Sequence, residues 1–405
     1  MDEMFYYATL PSGLRLVAVK RESAVEHCGV AVNVGSRDEV PGRYGLAHFV
    51  EHTIFKGTRR RRAWHILNRM ETVGGELNAY TTKEETLLYS TFPAGNLVRA
   101  VELISDLVID SRFPKTEIER ERLVVADEID SYLDVPSEGI FDVFEELLFA
   151  GSPLAHNILG DKESLEGFDT DVCRGYLERF YTPGEMVFFY SGPEKPEKVF
   201  RMAEKYFDAL TRPDAGRDRS VPGEVGRFDE VRRIDSHQAH TVLGTRVGGM
   251  NSDERYTVAL LTNMLGGPGM NSLLNVALRE RRGLVYTIDA MTTLMSDIGL
   301  FTVYFGCDAE DVGRCVRLVN GVLGSLADGK LTYRKLEEAK KQYVGQLTVA
   351  SVNSEQEALS MARSTLYRGR AVTSAEVVDA IRNVTAEDVR RVAESLNGMS
   401  RLTFN

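Results

Sequence analysis

The chain has 405 residues, 43% apolar and 27% charged, and a net charge of −11. This composition argues against a wholly disordered chain, and the acidic balance argues against a general nucleic-acid binder, which needs a basic footprint. At roughly 150 residues per domain the length points to two or three domains.

The chain starts Met-Asp-Glu-Met-Phe-Tyr-Tyr, with acids where a signal peptide needs basic residues and then an apolar run. No stretch of about 18 apolar residues occurs. The expectation is a soluble, cytoplasmic protein with no membrane partner. Leu14 to Val19, Val30 to Val34 and Thr86 to Phe92 read as strands, and Leu97 to Val108 has helical apolar spacing. Thr116 to Leu133 reads as a helix opened by a Thr116–Glu119 capping box. Thr211 to Phe228 is rich in Pro, Gly and charge, which marks a linker. The predicted division is residues 1–212, a linker at 213–228, and residues 229–405.

The second half repeats part of this order. A shift of 215 places Leu97 on Val312, Arg99 on Arg314, Val101 on Val316 and Leu103 on Leu318. Such register indicates two copies of one unit mixing hairpin-like strands with helices. The predicted class is α+β, with two duplicated domains, each a largely antiparallel sheet packed with helices. Cys28, Cys173, Cys307 and Cys315 are scattered and read as reduced, buried thiols. Arg59 to Arg62 reads as a solvated basic face, Trp64 as helix packing, and His237 with His240 as structural.

The informative segment is Gly45 to Thr58, GLAHFVEHTIFKGT, which contains His48-Phe49-Val50-Glu51-His52. Residues four apart share a helix face, so both imidazoles can address one ion. Two imidazoles with an adjacent carboxylate suit Zn²⁺, the carboxylate acting as general base. With 7 His and 60 acids, chance yields roughly 0.02 such patterns in a chain of this length. A pair of surface or core histidines on an amphipathic helix stays open at this point. A third ligand is needed. Glu121 and Glu128 lie seven apart on the predicted 116–133 helix, on a side that also carries apolar residues, which makes them candidates for paired burial, although Glu128 taken alone reads better as part of a solvated acidic face.

HxxEH followed 76 residues after His52 by Glu128 resembles the pitrilysin-type inverzincin zinc metallopeptidases, with the closest look to mitochondrial processing peptidase and its bacterial relatives. The likeness extends through Gly35-Ser36-Arg37-Asp38-Glu39, Gly74-Gly75-Glu76-Leu77-Asn78-Ala79-Tyr80-Thr81, Phe180-Tyr181-Thr182-Pro183 and Leu278 to Tyr286. It covers essentially the whole chain. The resemblance implies His48, His52 and Glu128 as zinc ligands, Glu51 as the base, and Glu121 as a carboxylate orienting a ligand. It implies that Asn78 and Ala79 lie on an edge strand pairing with extended substrate, and that Arg279 and Tyr286 reach substrate from the opposite half of a chamber. Bare spacing reads Asn78–Ala79 as a turn before a strand and Arg279 as a surface ion-pair residue.

The 215 shift places His48 on Asn263, Glu51 on Gly266 and His52 on Gly267, so one zinc per chain is expected. The implied assembly is two half-clamshells, a homodimer or a heterodimer with a sister subunit, enclosing a peptide or unfolded segment as substrate. The implied activity is endopeptidase. The alternative is a non-catalytic, peptide-presenting subunit of a heteromeric complex.

Overall fold

The computed structural model describes residues 4–405 apart from 215, 218 and 235. The α+β class holds, with two sheets that are antiparallel apart from one parallel pair in each.

The first half of the chain opens with β1 (Phe5–Thr9), β2 (Arg15–Lys20), β3 (Val25–Val32), α1 (Leu46–Ile54) and α2 (Ala63–Glu71). The hairpin β4 (Glu76–Thr81) and β5 (Thr86–Pro93) leads to α3 (Leu97–Asp110), α4 (Lys115–Leu133) and α5 (Pro136–Leu148). Then come α6 (Lys162–Glu166), α7 (Thr170–Phe180), β6 (Met186–Gly192) and α8 (Pro196–Phe207). The second half runs β7 (Asp229–Arg232), β8 (Ala239–Gly248), α9 (Arg255–Gly266), β9 (Val285–Leu294) and β10 (Ile298–Cys307). It closes with α10 (Val312–Ala327), α11 (Tyr333–Ala350), α12 (Ser354–Arg368), α13 (Ser374–Asn383), α14 (Ala386–Ser395) and β11 (Ser400–Phe404). The capping box expected at Thr116 is displaced. Helix α4 starts at Lys115, and the amides of Glu117 and Ile118 donate to the Pro114 carbonyl at 2.9 and 3.0 Å.

The compact units are not contiguous in sequence. The first comprises residues 1–130, 156–220 and 351–373, and the second comprises 131–155, 221–350 and 374–405. The bounds expected from the linker, 1–212 and 229–405, therefore differ by an exchange. Helix α5 belongs to the second unit and α12 to the first.

The first sheet has the order β1-β2-β6-β3-β5-β4. Strand alternation sends Leu16, Ala18, Val30, Val32 and Phe188 to the face covered by α1, α3 and α8. Val17, Val19, Leu87 and Phe189 go to the other face, where Leu359, Met361 and Leu366 of α12 cover them. The second sheet, β7-β11-β8-β10-β9, repeats the arrangement. Phe301, Val303 and Phe305 face α9, α10 and α14, while Val242, Leu300 and Leu402 pack on Ile140, Phe144 and Leu148 of α5. Each large apolar side chain buried this way contributes about 1.5–3 kcal/mol, so neither sheet is complete without its borrowed helix.

The linker segment is also bound in place. Arg212 donates to the carbonyls of Tyr181 and Ile109 at 3.1 and 3.0 Å. Arg219 makes two hydrogen bonds to the Asp38 carboxylate, at 2.8 and 2.5 Å. Charge thus clamps the first part of the segment, through Arg219, to the first unit. All four cysteines are free and buried.

Candidate metal centre

Helix α1 starts abruptly because Gly45 takes φ +91°, a conformation that side chains rarely adopt. A Cβ on Gly45 would stand 2.4 Å from the Leu159 carbonyl oxygen, and one on Gly160 would stand 2.0 Å from that of Tyr44. Two backbones cross here at van der Waals contact. The free amides at the helix start are met by the buried Glu39 carboxylate, which accepts from Gly45 N–H at 2.9 Å and Ala47 N–H at 2.6 Å. The carboxylate is also 2.9 Å from His156 Nε2, and the His156 ring stacks on Tyr44 at 4.0 Å. Burial pushes the Glu39 carboxyl up, against those hydrogen bonds.

One turn in, His48 and His52 share a face of α1, with ring centroids 4.5 Å apart. Glu128 reaches them from α4, with Oε1 3.7 Å from His48 Nε2 and Oε2 3.6 Å from His52 Nε2. One ligand atom from each of the three residues lies within 4.8 Å of the others. A tetrahedral ion with bonds of about 2.0–2.1 Å spaces its ligand atoms about 3.3 Å apart. The three donors stand somewhat wider than that, within reach of one ion after a small inward shift, and two imidazoles with a carboxylate are donors that zinc favours. Burial lowers the His48 pKa to about 4, with His52 adding to the effect. The ring is thus held neutral, the form that binds metal.

Glu121, buried on α4, accepts from His52 Nδ1 at 3.1 Å and from Lys56 Nζ at 2.7 Å. Burial raises its pKa, but the hydrogen bonds from His52 and Lys56 outweigh that and leave it below the ordinary range. Bonding at Nδ1 leaves His52 Nε2 for an ion, the usual support of a metal-bound imidazole. The same bond raises the His52 pKa, against the effect of burial. Glu51 is half-buried beside the cluster. Burial raises its pKa, offset in part by a hydrogen bond from the Thr81 side chain. Thr81 ends β4, which stands at the sheet edge and pairs only with β5. Asn78 and Ala79 lie in mid-strand on β4, so the turn suggested by spacing alone is replaced by an edge strand.

His48, Glu51, His52, Glu121, Glu128, Asn78 and Ala79 all belong to the first unit. Arg279 and Tyr286 belong to the second. Arg279 is exposed on a short π-helical segment, Asn275–Glu280, and the Tyr286 hydroxyl, near the start of β9, donates to Asp308 Oδ1 at 3.0 Å. Sequence reasoning missed Glu39, Lys56 and Thr81. Glu39 and Thr81 lie in segments that carry the resemblance, and Lys56 stands one helical turn after His52, but none was given a role. Two lesser expectations are corrected. Trp64 is 67% exposed rather than packed. Arg61 is not solvated: it pairs with Asp106 at 2.5 Å and Glu102 at 2.9 Å. His240 is structural, with Nδ1 2.8 Å from the Tyr304 hydroxyl. Among the described residues, no helix is long and apolar enough to cross a membrane.

Two family models match the chain: insulinase (peptidase family M16) over residues 16–162, and the peptidase M16 inactive domain over residues 167–343. An uncharacterized zinc protease of Mycobacterium tuberculosis is 34% identical, the alignment covering 96% of this chain and 90% of that protein. One of Streptomyces coelicolor is 31% identical, covering 96% and 86%. The uncharacterized zinc protease YmxG of Bacillus subtilis is 28% identical, covering 96% and 94%. The fold is that of a Helicobacter pylori protease, with a TM-score of 0.91 at 21% identity over 100% of both chains. With zinc proteases alike across nearly its full length, and a donor set suited to zinc on α1 and α4, this chain belongs to the insulinase family of peptidases, family M16.

Proposed function

We propose that the chain is a zinc-dependent endopeptidase that hydrolyses peptides or unfolded segments, with Glu51 as general base. The observation that carries this is a carboxylate with a burial-raised pKa beside a three-donor cluster that leaves a tetrahedral position free. His48, His52 and Glu128 would hold the zinc, which would supply Lewis acidity toward water and a peptide carbonyl. Glu51 accepts the proton of the attacking water and passes it to the departing nitrogen. Its raised pKa suits both transfers, because a base poised nearer neutrality also returns the proton. Glu121 fixes the His52 ring, and Lys56 keeps Glu121 ionised. The free edge of β4 at Asn78 and Ala79 offers backbone groups to an extended segment, which gives affinity with little side-chain selection.

The same proposal assigns Arg279 and Tyr286 to substrate contact across a dimeric chamber. A phenol there can donate to the developing oxyanion. The presence of Glu51 with all three ligands favours this over a non-catalytic, peptide-presenting subunit. The test is Glu51→Gln: zinc content is retained, and peptide turnover falls by about 10²–10⁴-fold. Wild-type turnover in that variant removes the assignment. Mixed dimers of Glu51→Gln and Tyr286→Phe chains recover activity if the tyrosine acts in trans. No recovery in verified mixed dimers removes that part.

A further inference from the structure

The second unit contains a cavity of about 200 Å³ between α9, the loop after it and α11. Its uncharged polar lining is the amides of Asn263, Asn271 and Gln342 and the hydroxyl of Ser272. Asn271 Nδ2 donates to Gln342 Oε1 at 2.9 Å, and Gln342 Nε2 donates back to Asn271 Oδ1 at 3.1 Å. This cyclic pair uses one donor and one acceptor of each amide and leaves one of each to spare. Asn263 is held from behind by Gln346, Nδ2 to Oε1 at 2.6 Å. Ser272 is only 6% exposed, and its Oγ has no hydrogen-bond partner. A buried hydroxyl without a partner is costly and points to something that completes it. The rest of the wall is apolar, from Met264, Leu273, Leu331 and Ala339. Lys335 and Glu338 lie exposed at the mouth, where Glu338 pairs with Arg334 at 2.8 Å, so the charge at the rim is that of Lys335.

The two amides lie directly against Gly269. A Cβ on Gly269 would stand 2.6 Å from Asn271 Oδ1 and 2.7 Å from Gln342 Nε2. Only glycine leaves the pair where it is.

We propose that this cavity is a binding site for an uncharged peptide group carrying a small apolar side chain. A peptide group offers one donor and one acceptor, and the amide pair with Ser272 has spare positions of both kinds to meet them. The apolar wall favours a methyl-sized side chain over water alone. The site lies in the second unit and does not depend on catalysis at the first.

The probe is N-acetylalanine N-methylamide, titrated by ligand-observed NMR against the full-length, zinc-loaded chain carrying Glu51→Gln. Saturable binding in the millimolar range is expected for so small a ligand. Ser272→Ala weakens it about two- to tenfold, the effect of one hydrogen bond. Gly269→Ala and Gln342→Leu abolish it, with the melting temperature recorded as a control for folding. Should either of those two variants melt early, Ser272→Ala decides. Three results overturn the proposal: no saturable binding by the parent chain, unchanged affinity in Ser272→Ala, or tighter binding of N-acetylalanine that is lost in Lys335→Gln. The last would mean that a charged mouth, not the amide floor, recognises the ligand.

Discussion

Helices α1 and α4 in the first unit and α9 and α11 in the second make a natural pair for comparison. Both pairs bring polar side chains together beside a sheet, and the 215-residue register drops His48 onto Asn263. In the first unit the meeting groups are ionisable: two imidazoles and the carboxylates of Glu51, Glu121 and Glu128. In the second they are amides that bond to one another, Asn263 to Gln346 and Asn271 to Gln342. The difference shows what buried charge demands. The first site needs Lys56 against Glu121, Glu39 under the helix start and His156 against Glu39. The second needs no such retinue, because an amide carries both donor and acceptor and bears no charge to neutralise.

The strongest way to break the comparison is to convert the first site chemically into the second. The double change His48→Asn with Glu128→Gln leaves a single imidazole and takes zinc from one ion per chain to none. Metal analysis checks this, and full retention of zinc would mean that the ligands lie elsewhere. Glu39→Ala comes next. It strands the amides of Gly45 and Ala47 and should cost about 2–3 kcal/mol in denaturant unfolding. Glu121→Gln weakens zinc about 10–100-fold in chelator competition, because His52 loses its charged acceptor.

The pH response sharpens the contrast further. In the metal-free chain His48 sits at about 4, below its ordinary 6.5. Between those values the unfolded chain holds a proton that the folded one lacks, so stability falls as pH drops from 6.5 towards 4. Thermal melts of metal-free wild type and His48→Asn across that window should diverge, the wild type losing more. Smallest is Glu254→Ala at the start of α9, where the exposed pair with Arg391 at 2.8 Å should contribute below about 1 kcal/mol.

The metal helix is legible because its chemistry is local: five residues set both imidazoles and the base. Glu128 is legible only through spacing that matches known peptidases, since an acidic residue on a helix is usually just solvated. Glu39 could not be read, because its partners are backbone amides that every sequence has. The exchange of α5 and α12 was equally hidden. The apolar stripe of α12, with Leu359, Met361 and Leu366, declares that it is covered but not by which sheet. Both sheets offer the same alternating pattern. The change from one unit to the other at 220/221 falls inside the segment read as a linker, but its contacts were hidden. Arg212 and Arg219 look solvated until Tyr181 and Asp38 appear beside them.

That exchange of helices has a consequence for any attempt to dissect the molecule. A gene cut within 213–228 yields one fragment missing α12 and another missing α5. Each product would expose a bare hydrophobic sheet surface and aggregate when made alone. Co-expression should rescue both, since each piece carries the other's missing lid. Here duplication has produced two halves that can no longer be inherited separately.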